Sequence, residues 1–150
     1  MRKELYQKLK ERLDGMEAVK HVALWNHNVE FIEQEQPWDR PAVFIELLPL
    51  EWRCVVPVHE YHAVVTVRLH IVYDWSEDEM NDFDLASQIA QEVIGLEGDA
   101  FSPLEPVGSA TNHNHEQIVE DIDTYRCECA MFIHLRLHQG QPEAENEEKE

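Results

Sequence analysis

The stretch Tyr61-His62-Ala63-Val64-Val65-Thr66-Val67-Arg68-Leu69-His70-Ile71-Val72-Tyr73-Asp74-Trp75 decides the fold. One parity reads Tyr61, Ala63, Val65, Val67, Leu69, Ile71, Tyr73 and Trp75, and the other reads His62, Val64, Thr66, Arg68, His70, Val72 and Asp74. Successive strand side chains point to opposite faces, so this alternation marks a long, half-buried strand of an antiparallel sheet. Tyr125 to Leu137 repeats the pattern. Tyr125, Cys127, Cys129, Met131, Ile133, Leu135 and Leu137 share a face; Arg126, Glu128, Ala130, Phe132, His134 and Arg136 share the other.

Two amphipathic segments supply the cover that the apolar parities need. From Arg2 to about Asp14, Leu5, Leu9 and Leu13 recur every four residues among charged ones, the stripe of a helix with one buried face. Gly15 is read as its left-handed stop. A second helix is expected from Phe83 to Leu96, carrying Leu85, Ile89, Val93 and Leu96, with Asn81 or Asp82 as N-cap and Gly95 or Gly98 as terminator. Val19 to Trp25 reads as a short β-segment followed by the turn residues Asn26-His27-Asn28. The polar stretch Glu33 to Pro41 reads as a loop holding Trp38, and Ala42 to Leu48 as a strand. Pro49 and Pro57 make Leu50 to Val58 an irregular or edge segment. Asp99 to Gln117, with two prolines, Gly108 and two histidines, reads as a long loop with room for a short strand. The expected fold is α+β, two helices packed on one face of an antiparallel sheet, as one domain over 1–138. Residues 139–150 are acidic and read as a disordered tail.

With 150 residues and a hydrophobic fraction of 43%, the chain can build a core without metal or disulfide staples. Its net charge of −19 argues against sequence-specific nucleic-acid binding and against docking on anionic lipid, both of which need clustered Lys and Arg. Cys54, Cys127 and Cys129 are odd in number, and Cys127 and Cys129 lie too close along one strand to bridge each other easily. No signal peptide or membrane-span pattern is present, so a cytoplasmic setting is expected.

Catalytic motifs are weak. None of Ser76, Ser87, Ser102 and Ser109 has a G-x-S-x-G context, and no glycine-rich phosphate loop occurs among 5 glycines. No catalytic residue, cofactor or metal is therefore expected. The competing reading is a zinc-dependent hydrolytic enzyme whose ligands are His59, His62, His113 and His115, because zinc favours closely spaced imidazoles. Cys127 and Cys129, on an apolar parity, are read as core residues instead. A third reading is a cytoplasmic adaptor that binds a basic partner through the acidic surface.

The polar parities of the long strands are more informative. His62, Arg68, His70, Arg126, Glu128, His134 and Arg136 form a candidate interface for a second copy or another negatively charged partner, set against the plainer reading of a hydrated face with cross-strand charge pairs. Trp38 and Trp52, in loops flanking one strand, are satellite core residues or interface anchors.

The order of elements, with Ala23-Leu24-Trp25-Asn26 closing a short strand, Trp38-Asp39-Arg40-Pro41-Ala42-Val43-Phe44-Ile45-Glu46 after a polar loop, and Asp123-Thr124-Tyr125 opening the last strand, resembles the tail-terminator and tail-completion proteins of long-tailed phages and prophages. The resemblance spans roughly residues 3–137. It implies a non-enzymatic ring, often of six copies, that stops tube polymerisation and joins tail to head, with tail-tube and head-connector proteins as partners. Such a protein would assemble in the cytoplasm and end in the virion tail, its acidic lumen repelling DNA phosphates. On this reading, charge reversal at Arg68 and Arg136 disrupts self-association.

Overall fold

A computed structural model describes residues 1–26, 38–75, 79–112 and 117–134. In chain order the elements are α1 (Arg2–Asp14), β1 (His21–Leu24), β2 (Ala42–Leu47), β3 (Arg53–Val56), β4 (Glu60–Asp74), α2 (Glu79–Val93), β5 (Glu105–Asn112) and β6 (Ile118–Phe132). One six-stranded sheet runs β1-β2-β4-β6-β5, with β3 also on β4. The long strands β4 and β6 pair antiparallel along their whole length, Glu60 opposite Phe132 at one end and Asp74 opposite Ile118 at the other. On the second edge of β4, β3 pairs at residues 60–62 and β2 at 67–72.

The helices and the odd-numbered parity of β4 and β6 form the main core. Leu5, Leu9 and Leu13 of α1 are fully buried, as are Ile89 and Val93 of α2, in one cluster with Val65, Val67, Leu69 and Ile71. Each such side chain contributes roughly 1.5–3 kcal/mol, so the helices are held by their leucine stripes far more than by helix propensity. Cys127 and Cys129 belong to this core, and burial pushes the Cys127 thiol up to about 11, with the neighbouring Cys129 and Glu128 adding to the effect. Glu4 straps α1 to the loop beyond α2: its carboxylate accepts the backbone N–H groups of Asp99 and Ala100, each at 3.0 Å.

The α+β class holds, and the helices cover one face. Several details differ from the sequence reading. The sheet is mixed, because β1 runs parallel to β2 while every other pair is antiparallel. Strand direction leaves no trace in a four-residue strand such as β1. Gly15 closes α1 in the right-handed region, φ −74°, donating its N–H to the Glu11 carbonyl while Met16 donates to that of Leu13; the left-handed glycine is Gly95 after α2, φ +86°. Helix α2 starts at Glu79, ahead of the expected caps at Asn81 and Asp82. The expected long loop contains the eight-residue strand β5, whose Pro106 and Gly108 are tolerated because it is an edge strand with a register shift between them. Strand β6 begins seven residues before Tyr125, where Asp121 and Asp123 occupy the apolar parity and disguise it. The turn at residues 27–28, most of the expected loop at 33–41, and the tail 139–150 lie outside the described residues.

Candidate functional site

The outer face of the sheet, opposite the helices, is built from the even parities of β4 and β6. Cross-strand registry places Glu60 beside Phe132, His62 beside Ala130, Val64 beside Glu128, Thr66 beside Arg126, Arg68 beside Thr124 and His70 beside Ile122. His62, Arg68, His70, Arg126 and Glu128 thus share one face, as their spacing predicts.

Within that face His70 is buried, because a second apolar cluster of Ala42, Phe44 and Val72 surrounds it, with Trp25 and Trp38 packed over them. The Trp25 indole stacks flat on the His70 ring, 3.8 Å between centroids and 2° between planes. In the sheet plane His70 Nδ1 lies 2.7 Å from Glu120 Oε2, and Nε2 lies 2.7 Å from Glu46 Oε1. Asn112 donates to the other Glu120 oxygen at 3.0 Å, and Arg68 Nη1 sits 4.0 Å from Glu46. The trio is therefore a hydrogen-bonded bridge across three strands, β2, β4 and β6, rather than a set of free interface groups.

The other sequence-selected residues divide. Trp38 packs edge-on against Phe44, centroids 4.8 Å apart, and is satellite core; Trp52 is 39% exposed beside β3. His62 Nε2 is 2.6 Å from Glu60 Oε2, and His59 sits in the turn between β3 and β4. His134 is exposed just beyond β6. His113, His115 and Arg136 lie outside the described residues. Among the described residues no group of three or more His, Cys, Asp or Glu is placed to hold a metal ion, and no helix is long and apolar enough to cross a membrane.

Two surfaces escaped the sequence reading. The first is the end of the outer face where β3, β4 and β6 meet. Val56, Val64 and Phe132 are exposed there, Phe132 by 61%, around Arg53, which registers with His62. The turn leading into β4 holds Val58 at φ +67°, a left-handed conformation that β-branched residues rarely adopt. Valines on a polar parity were the available signal. The second is a groove of about 700 Å³ on the helix side, between α2 and the β5–β6 hairpin, walled by Trp75, Phe83, Ala86 and Pro106 and floored by Asp121 and Asp123. Asp121 accepts hydrogen bonds from Tyr73 and Thr111, both at 2.9 Å. Asp123 is buried, and loss of solvent raises its carboxyl above the usual range, helped by the charge of Asp121 and opposed by a hydrogen bond from Ser109. Burial, and secondarily the Asp123 charge, pushes the Tyr125 hydroxyl up to about 12.

No family model and no curated protein sequence matches the chain. Its fold is similar to that of a chain in the solved virion of a native gene transfer agent (GTA) particle, with a TM-score of 0.52 and 11% sequence identity. The match covers 85% of this chain and 92% of that one, so the shared architecture extends over nearly the whole of both.

Proposed function

We propose that the chain is a structural subunit of a phage or prophage virion, a tail terminator that caps the tail tube as a homo-oligomeric ring and joins it to the head. The observation that carries this reading is the likeness, over 85% of its length, to a chain of a gene transfer agent virion. The order of elements that resembles tail terminators supports it, as does a sheet whose exposed end bears apolar side chains. Exposed patches of this kind mark association surfaces more often than they persist on a free monomer. On this reading the protein is not an enzyme, and its working residues are contacts to itself, the tube and the head connector. It assembles in the cytoplasm and remains in the virion tail. The negative charge of the subunits keeps passing DNA from adhering.

Deletion of the gene from the phage or prophage that encodes it tests this role. The expected particles have overlong tubes unattached to heads, seen by electron microscopy. Particles of normal tail length and normal attachment would contradict it.

A further inference from the structure

We propose that the subunits join head to tail, the apolar arm where β3, β4 and β6 meet on one copy docking into the Asp121/Asp123 groove of the next; this rests on the ring reading above. The two surfaces match in both apolarity and charge. The arm presents Val56, Val64 and Phe132 around Arg53, and Arg126 stands one registry row beyond Val64 on the same face. Arg53 and Arg126 are exposed, and their side chains have no hydrogen bond or ion pair among the described residues. Of the carboxylates on that face, Glu60 is already engaged with His62, and Glu128 stands between Arg126 and Ala130.

The groove offers the complement. Its aromatic rim is open, with Phe83 66% and Trp75 54% exposed, and among the described residues the carboxylates on its floor meet hydroxyl groups rather than a cation. No Lys, Arg or His is among its described lining residues. A guanidinium entering between aromatic walls gains both charge pairing and stacking on the ring faces. The arm lies on the outer face and the groove on the helix face, so the contact is heterologous. Repeating a heterologous contact closes a ring when its rotation divides a full turn. The strained Val58 at the arm's tip fits a segment shaped for a contact made outside its own subunit.

A mixing experiment separates this contact from oligomerisation in general. An arm variant, Arg53→Glu with Phe132→Asp, and a groove variant, Phe83→Asp with Ala86→Glu, are each analysed by native mass spectrometry beside the wild type, with circular dichroism confirming the fold. The expected result is a closed ring for the wild type, at least tenfold less oligomer for each variant alone, and a one-to-one dimer when the two are mixed. The dimer forms because each variant retains the half that the other has lost. If the arm variant unfolds, Arg53→Glu with Arg126→Glu replaces it. Rings that persist in either variant would overturn the arm-and-groove contact and leave the ring reading standing, as would a mixture that stays monomeric. A wild type that is monomeric throughout would overturn both.

Discussion

His70 sits buried at the centre of a polar network on the outer face. Its ring bridges Glu46 and Glu120 beneath the Trp25 indole, and its side chain and that of Glu120 are each 6% exposed. Removing one member of such a buried group strands the charge of the others, which costs more than the group gained by forming. His70→Leu should therefore lower stability by about 3 kcal/mol in urea denaturation. Adding Glu120→Gln should recover part of that loss, a non-additivity that the double-mutant cycle reads directly. Additive losses would mean that the ring and the carboxylate act separately. The alternation of β4 places His70 on the correct face, but not its burial. That depends on Phe44 of β2 and on Trp25 just past β1, both distant in sequence.

At the scale of elements, α1 is tied to the rest of the molecule at both ends of its length. Its leucine stripe meets the sheet, and Glu4 in its first turn receives the N–H groups of Asp99 and Ala100. Those backbone bonds hold the Glu4 carboxyl below the ordinary carboxylate value of 4.5. A depressed folded-state pKa adds stability above the unfolded value, and that stability is lost as pH falls through the folded value. Glu4→Gln should accordingly lower the thermal midpoint at neutral pH, with the gap to wild type closing in acid. A gap independent of pH would exclude the charge of Glu4 as its source. Helices α1 and α2 and the strand β4 were legible because each follows one period, and β2 because Ala42 to Leu48 is a short β-branched and aromatic run. Strands β5 and β6 were only partly so. Pro106 and Gly108 disguise an edge strand, and Asp121 and Asp123 place carboxylates on a parity that is otherwise apolar. The same two aspartates form the floor of the groove, so the residues that hid the start of β6 are the ones that give the groove its chemistry.

For the whole molecule, one face of a mixed sheet is sealed by two helices while the opposite face is only partly covered. Among the described residues Trp25 and Trp38 close it near His70, and Val56, Val64 and Phe132 are exposed at the other end. The polar residues His62, Arg68, Arg126 and Glu128 do share this face, as alternation requires. Val64 and Phe132 already stood on polar parities, but their joining with Val56 was not legible, because it arises only when the edge strand β3 folds against β4. The virion reading joins this open surface to the fold shared with a gene transfer agent virion chain. Native mass spectrometry of the wild type across a concentration series, with and without added zinc, tests it most directly. The account predicts a closed oligomer of fixed stoichiometry that forms without metal; a monomer holding one tightly bound zinc at every concentration would contradict it.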